Sequence, residues 1–220
     1  MSARLLAATF SLVATLSLAC VPEERDALLA FRDGVTGDPA GRLATWRRGG
    51  GDCCRWRGVR CSNRTNGHVV ALRLRNDAAA AGGSGAEAEL DDRGYYAGGA
   101  ALVGAISPAL LSLRRLRHLD LSRNYLEGSP ATPPPAFLGG LANLRYLNLS
   151  GIYFSGEIPP HLGNLSNLRY LDLSTDFSPQ LTRSSELSWL ARLPLLRHLS
   201  LSSVDLSSAQ DWPLAVAMLP

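Results

Sequence analysis

The side chains best suited to chemistry in this sequence are four cysteines: Cys20 and the group Cys53, Cys54 and Cys61. Thiols serve as nucleophiles or metal ligands in reducing compartments and form disulfides in oxidising ones. Residues 1–19 combine an early arginine, an apolar run shorter than the ~18 residues needed to span a bilayer, and small residues at the end. This pattern is typical of a secretory signal peptide, so we expect all four cysteines to form disulfides.

Four cysteines allow three pairings. A bond between the neighbours Cys53 and Cys54 requires a strained ring, so we set that pairing aside. Two pairings remain: Cys20–Cys53 with Cys54–Cys61, or Cys20–Cys54 with Cys53–Cys61. We favour the first. In either pairing, the long bridge from Cys20 removes unfolded-state entropy worth roughly 3 to 4 kcal/mol.

The histidines do not form a catalytic or metal-binding set. His68, His118, His161 and His198 are spread through the chain, and there is no G-x-S-x-G elbow, H-E-x-x-H pair or kinase motif. We expect the cysteines to have a structural role, as disulfides. We therefore predict that the protein is not an enzyme and has no catalytic residues, cofactor or metal site.

The charge of the chain does not indicate a nucleic-acid partner. The formal net charge is +3, every basic side chain other than histidine is arginine, and no basic run is interleaved with aromatic residues. No second apolar segment long enough to cross a bilayer follows residues 1–19. We expect neither nucleic-acid binding nor direct membrane insertion by the mature chain.

A repeat organises most of the sequence. The frame L-x-x-L-x-L-x-x-N-x-L begins at Leu116, Leu144, Leu168 and Leu196, and a related segment begins at His68. The second framework leucines of the four later copies are separated by 28, 24 and 28 residues. A leucine frame at this period predicts a leucine-rich-repeat solenoid, in which each coil buries its leucines against the next.

The same frame predicts a binding surface. Alternate side chains of a strand face opposite ways, so the leucines of L-x-L enter the core and their neighbours face outward. Tyrosine on such a surface offers a large contact area at a low entropy cost. The predicted ligand-binding residues on the concave face are His118, Asp120, Arg123, Tyr146, Asn148, Tyr170, Asp172, His198 and Ser200.

The spacing is broken once, between Leu72 and Leu119, which are 47 residues apart. The additional residues, 76–100, are mostly alanine, glycine and acidic residues and cannot bury enough apolar surface to order themselves. We predict a low-complexity surface loop here. Asn124 alone keeps the framework asparagine, whose amide is expected to bond backbone groups in the turn after its strand.

These segments resemble a known family. The stretch CVPEERDALLAFRDGVTGDPAGRLATWRRGGGDCCRWRGVRCSNRTNGHVVALRLRN is similar to the amino-terminal cap of plant extracellular leucine-rich-repeat proteins. LNLSGIYFSGEIPPHLGNLSNLRYLDLS resembles the plant-type repeat with its L-x-G-x-I-P element. Within that group, the chain is most similar to the receptor-like proteins of plant immunity, which have no kinase domain. Its closing segment, LRHLSLSSVDLSSAQDWPLAVAMLP, is similar to the ethylene-inducing-xylanase receptor branch.

The resemblance implies an α/β solenoid: a right-handed superhelix with a parallel β-sheet on the concave face and a disulfide-bonded amino-terminal cap. The expected domains are a signal peptide at 1–19, the cap at 20–68, and about five repeats at 69–220, truncated at the carboxyl end. The apolar residues in the range 23–31 predict a short amphipathic helix laid over the first coil.

The resemblance also implies a function. The first hypothesis is the extracellular ligand-binding region of a plant cell-surface receptor-like protein in defence, which binds a protein or peptide ligand and signals through co-receptor kinases. Such a protein is secreted or lies at the cell surface, attached to the membrane only through a span missing from this chain. The alternative is a secreted inhibitor of a microbial wall-degrading enzyme, similar to the polygalacturonase inhibitors.

The sequence contains three N-glycosylation sequons, at Asn63, Asn148 and Asn164. Asn164 precedes a predicted strand on the outer side of the solenoid, where a glycan is accommodated without covering the concave face. We predict that Asn164 is glycosylated. Glycopeptide mass spectrometry of plant-expressed protein should detect the glycan, and an unmodified Asn164 peptide would contradict the prediction.

Overall fold

The computed structural model describes residues 20–49, 51–62, 67–77, 100–128, 131–175 and 182–219, with the side chain of Val216 left out. The predicted signal peptide and residues 78–99 of the predicted loop lie outside this part of the chain. Among the described residues, none of the helices has the length and the hydropathy that a membrane span requires.

The amino-terminal cap is built on one helix. Its elements are α1 (Pro22–Asp33), β1 (Val35–Gly37), a 3-10 helix (Cys53–Arg55) and β2 (Val59–Cys61). Helix α1 begins with a proline in its first turn and buries Ala27, Leu28, Leu29 and Phe31 along one face. The predicted amphipathic helix is confirmed, with an additional residue or two at each end.

Aromatic rings fill the core of the cap. The rings of Trp46 and Trp56 stack with centroids 5.5 Å apart, and Phe31 of α1 packs against Trp46 at 6.1 Å. The indole Nε1 of Trp46 donates a hydrogen bond to the carbonyl oxygen of Arg57 at 3.0 Å, so its polar atom is satisfied. Trp56, which lies between Cys54 and Cys61 in the sequence, is therefore a residue of the cap core.

The disulfides are Cys20–Cys53 and Cys54–Cys61, with Cα atoms 5.3 and 5.4 Å apart. The preferred pairing is confirmed. Because the adjacent cysteines belong to different bridges, the start of α1 and the end of β2 are held at one point. The sulfur atoms of Cys20, Cys53 and Cys54 lie within 4.8 Å of one another, but each is bonded in a disulfide and is not a thiolate ligand.

The principal sheet has six strands in the order β10-β8-β6-β5-β3-β2. After β2, these are β3 (Val69–Arg73), β5 (His118–Asp120), β6 (Tyr146–Asn148), β8 (Tyr170–Asp172) and β10 (His198–Ser200). Strand β2 is antiparallel to β3, and all other pairs are parallel. The second framework leucines pair directly, and those of β3, β5, β6 and β8 are fully buried. The predicted solenoid with a parallel sheet is confirmed.

The opposite side of each coil contains short strands and 3-10 helices. The strands are β4 (Val103–Gly104), which pairs with β1 of the cap, β7 (Gly156–Glu157) and its partner β9 (Thr182–Arg183). The 3-10 helices span Pro108–Ser112, Ala136–Gly140, Pro160–Asn164 and Ser188–Arg192, and α2 (Trp212–Ala217) follows β10.

Two glycines allow neighbouring 3-10 helices to touch. A Cβ atom at Gly139 would lie 2.1 Å from the carbonyl oxygen of His161, and one at Gly163 would lie 2.7 Å from that of Trp189. Both glycines occupy the same repeat position, so successive helices approach backbone to backbone. A side chain here would force the coils apart.

The side chain of Asn124 joins the first coils. It is fully buried, and its Nδ2 donates to the carbonyl oxygens of Leu74 at 2.7 Å and Leu121 at 2.8 Å. Its Oδ1 accepts from the backbone N–H of Leu102 at 2.9 Å and from Nη1 of Arg42 at 2.8 Å. The framework asparagine therefore links the cap, the first coil and the second.

Arg42 completes this junction from the cap. Its guanidinium is buried and donates to the carbonyl oxygens of Leu74, Arg75 (2.5 Å) and Ala100 (3.4 Å), in addition to Asn124. Leu74 and Arg75 precede residues 78–99, and Ala100 follows them, so one side chain holds both ends of the predicted loop. Burial holds the pKa of the Arg42 guanidinium below its usual value.

Two later coils replace the framework asparagine with an apolar side chain. Ile152 and Val204 stand at the position of Asn124, and they are 1% and 7% exposed. These coils gain buried apolar surface where the second coil gains hydrogen bonds.

We predict that Asn124→Ala lowers the free energy of unfolding by at least about 3 kcal/mol, because it leaves several buried donors and acceptors unsatisfied at about 1 to 3 kcal/mol each. Asn143→Ala is the matched control, since Asn143 is exposed and makes one bond, to the carbonyl oxygen of Arg114. Its expected effect is below ~1 kcal/mol. Urea denaturation followed by circular dichroism measures both, and equal effects would contradict a central role for Asn124.

Candidate functional site

Four aromatic rings form a continuous stack across the concave face. His118, Tyr146, Tyr170 and His198 occupy the first position of β5, β6, β8 and β10. The successive ring centroids are 4.0, 4.3 and 4.2 Å apart, and the planes are tilted by 11°, 12° and 5°. We call these four side chains the aromatic ladder. The parallel strands place one ring above the next at the strand spacing of about 4.8 Å, which makes this stacking possible.

The next outward position has a different role. In three coils an Asp or Asn accepts, through Oδ1, a backbone N–H at 2.9–3.1 Å and a hydroxyl at 2.6–2.7 Å from a serine two residues later. The pairs are Asp120 with Ser122, Asn148 with Ser150, and Asp172 with Ser174. These bonds close the turn after each strand and explain the recurring L-[D/N]-L-S sequence.

The predicted binding residues therefore differ in their exposure and in their hydrogen bonds. Asp120 and Asn148 lie at strand positions on the predicted face, but they are 8% and 2% exposed, and their oxygens bond their own turns. Asp172 and Ser200 are partly exposed at the same position. Arg123 lies beyond β5, in the turn, with a left-handed φ of 59°. We expect ligand contacts chiefly from the ladder, whose members are partly or fully exposed.

The two ladder tyrosines bond the neighbouring position. The hydroxyl of Tyr146 accepts from Nδ2 of Asn148 at 3.3 Å, and that of Tyr170 donates to Oδ2 of Asp172 at 3.4 Å. Burial, followed by the negative charge of Asp172, raises the pKa of Tyr170 to about 12. Tyr170 therefore remains a neutral hydroxyl at physiological pH.

His118 lies at the cap end of the ladder. Burial lowers the pKa of its imidazole, the positive charge of Arg73 lowers it further, and Asp120 opposes the change. Its ring therefore favours the neutral form near pH 7, stacked against Tyr146.

Two of the three sequons can be located. Asn164 is exposed on the 3-10 helix Pro160–Asn164, whereas the amide of Asn148 is buried behind Tyr146. Asn63 lies outside the described residues. A glycan on Asn148 requires its buried nitrogen, so Asn164 is the more accessible of the two sites, and its glycosylation stays a prediction.

Reasoning from the sequence missed one set of side chains on this face. Arg117, Arg145, Arg169 and Arg197 directly precede the four ladder residues, and all four are exposed. The recurring L-R-[H/Y]-L of the repeat contained the signal. We call these four residues the arginine column.

Known protein families match two parts of the chain. The family model for the leucine-rich-repeat N-terminal domain matches residues 21–62, and the model for the leucine-rich repeat matches residues 115–141 and 143–165. Neither model describes a catalytic domain.

Receptor-like protein EIX1 from Solanum lycopersicum is 37% identical over 203 residues, which cover 91% of this chain and 18% of that protein. Receptor-like protein EIX2 from the same plant is 43% identical over 143 residues, which cover 64% of this chain and 12% of that protein. The chain is thus similar to plant leucine-rich-repeat receptor-like proteins. It spans less than a fifth of the length of these two relatives.

Solved receptor ectodomains share the fold. The leucine-rich-repeat ectodomain of the Arabidopsis thaliana receptor kinase GASSHO1/SCHENGEN3, in complex with CASPARIAN STRIP INTEGRITY FACTOR 2, is 25% identical with a TM-score of 0.52. The match covers 84% of this chain and 21% of that ectodomain. The similarity thus includes an ectodomain solved with a bound partner.

The position of His118 predicts a pH-dependent stability. Because its pKa is lowered in the folded state, the unfolded state takes up the proton first, and stability is lost as the pH falls below the ordinary histidine pKa of about 6.5. His118→Gln should reduce the loss in the free energy of unfolding between about pH 7.5 and pH 5. Urea denaturation at both pH values measures it.

The matched control is His161→Gln, which removes an exposed histidine outside the principal sheet. If His118→Gln and His161→Gln had the same pH dependence of unfolding, the partly buried position of His118 would not be the cause.

Proposed function

We propose that this chain is the ligand-binding amino-terminal region of a plant cell-surface receptor-like protein. It binds protein or peptide ligands in the extracellular space, and the receptor acts in defence through co-receptor kinases. The aromatic ladder is the observation that carries this proposal. Four stacked rings on a rigid sheet form a surface whose side-chain freedom is already restricted, so a ligand binds it with little further loss of entropy.

The chemistry of the face supports binding over catalysis. The carboxylates of Asp120 and Asp172 bond serines, the hydroxyl of Tyr170 stays neutral, and His118 faces Arg73 and Asp120. None of these groups is arranged as a nucleophile with its base among the described residues. The face offers apolar ring edges, hydroxyls and imidazoles, which suit a polypeptide ligand.

Similarity supports the cellular setting. The EIX receptor-like proteins extend far beyond the region that this chain matches, and the GASSHO1/SCHENGEN3 ectodomain carries a bound factor on the same type of solenoid. The resemblance to receptor-like proteins of plant immunity extends the proposal to defence. Two disulfides in the cap agree with a secreted or cell-surface location.

A displayed random peptide library, selected on the immobilised full chain, tests the proposal. We expect the selected peptides to lose at least about tenfold in affinity, about 1.4 kcal/mol, for a Tyr146→Ala/Tyr170→Ala variant. Binding is measured by biolayer interferometry, and far-UV circular dichroism verifies that the variant is folded.

The chain provides a matched control in a second tyrosine pair. The rings of Tyr125 and Tyr153 stack outside the principal sheet, with centroids 6.1 Å apart, and the backbone of Tyr125 forms an isolated β-bridge with Val103. A Tyr125→Ala/Tyr153→Ala variant should bind the selected peptides like the wild type. Failure to select any peptide, together with inhibition of a fungal polygalacturonase by the chain, would overturn the proposal in favour of the inhibitor.

A further inference from the structure

The arginine column is held in register by the backbone. The carbonyl oxygen of Arg117 accepts from the N–H of Arg145 at 2.8 Å and of Tyr146 at 3.1 Å, and the carbonyl oxygens of Arg145 and Arg169 repeat this pattern with the next coil. The four guanidinium groups therefore start from backbone positions about 4.8 Å apart along one edge of the ladder.

Among the residues that the structure describes, these arginines have no counter-charge. Within the described part of the chain, no carboxylate lies within 4.0 Å of any member of the column, and no hydrogen bond involves their guanidinium groups. On the same face, Oδ1 of Asp120 and of Asp172 accepts from the serine two residues later, and Oδ2 of Asp172 accepts from the hydroxyl of Tyr170. This edge therefore presents exposed positive charge that no described carboxylate pairs.

The positive charge continues into the cap. A cavity of about 720 Å³ lies at strands β2 and β3, and its lining includes Arg55, Arg60, Arg73 and Arg117. Asp52 also lines it, but its Oδ1 accepts from the backbone N–H groups of Cys20 and Cys54. The cavity and the column share Arg117 and form one basic strip.

The ladder beside this strip restricts the type of anion. Tyr146 and Tyr170 each have both ring faces covered by neighbouring rings, so their exposed parts are edges and hydroxyls. A sugar ring stacks on an open aromatic face, which these tyrosines do not offer, whereas peptide amides bond to hydroxyls and ring nitrogens. Carboxylates match the planar fork of arginine, which binds them through two parallel hydrogen bonds.

We propose that the basic strip binds an extended acidic peptide segment of the ligand, which lies across the strands with its carboxylates on the arginines and its backbone along the ladder. This proposal rests on the proposed function, since it names the chemistry of the ligand at the same face. An extended segment of about eight residues spans ~26 Å. The six strands of the sheet span about 24 Å, so such a segment reaches from the cap cavity to Arg197.

The probe is a fluorescein-labelled octapeptide of alternating Glu and Gly, measured by fluorescence anisotropy with the full chain. We expect it to bind, with an affinity that falls as the salt concentration rises from about 50 to about 300 mM, because exposed charges are screened. The Gln–Gly analogue should bind at least about tenfold more weakly.

Two charge-reversed variants separate the strip from the net charge. Arg145→Glu/Arg169→Glu should weaken binding of the Glu–Gly probe at least about tenfold, since each change replaces an attraction with a repulsion. Arg47→Glu/Arg192→Glu, at two exposed arginines outside the sheet, changes the net charge equally and should leave the affinity within about twofold. Far-UV circular dichroism verifies the fold of both variants.

Other results would overturn the proposal in distinguishable ways. Binding of a polyuronate without binding of the Glu–Gly probe would assign the strip to an anionic polysaccharide. Library-selected peptides that bind equally well to the Arg145→Glu/Arg169→Glu variant would exclude the acidic segment and leave the proposed function standing. If the unmodified full chain selects no peptide from the library and does not bind the Glu–Gly probe, both proposals are wrong.

Discussion

The hydrogen bonds of Asn124 are the interaction on which the amino-terminal half of the solenoid depends. A repeat protein is stable only if each coil is laid directly on the one before it, and here the first and second coils are separated by the longest interruption in the sequence. Asn124 reaches back to Leu74 across that interruption, and Arg42 of the cap holds Leu74, Arg75 and Ala100 at the same place. The strands β3 and β5 can therefore pair in register despite the intervening residues.

The cap has a second role beyond covering leucines. Its strand β2 adds to the principal sheet, and its helix α1 places the carboxylate of Glu24, which is 3% exposed, against the N–H of Val69 at 2.7 Å and Nδ1 of His68 at 2.8 Å. The start of β3, the first repeat strand, is thus fixed in position relative to the cap. Because the later strands pair in register with β3 and with one another, this position also sets the positions of the aromatic ladder and the arginine column.

The sequence predicted the features that recur in it. The leucine frame and the parallel sheet follow from periodicity, and the cap helix follows from the amphipathic pattern. The strained ring between Cys53 and Cys54 excluded one disulfide pairing and left two, of which the preferred one is observed. It did not predict Arg42, because nothing local distinguishes this arginine from the exposed ones around it. The alternation rule gives the direction of a side chain but not its depth, which is why Asp120 and Asn148 were expected among the ligand contacts. Their hydrogen bonds with serines depend on the turn geometry, which the repeat frame alone does not specify.

The stacking of the ladder also constrains how this surface can change over evolutionary time. Each inner ring touches two neighbours, so a mutation that replaces Tyr146 with a non-planar side chain disturbs its contacts with both His118 and Tyr170. Such a mutation alters three adjacent coils at once, whereas a change at an unstacked surface position alters one. New recognition properties at this face should therefore arise through linked substitutions across neighbouring coils, and single-residue drift should be rare in the middle of the ladder.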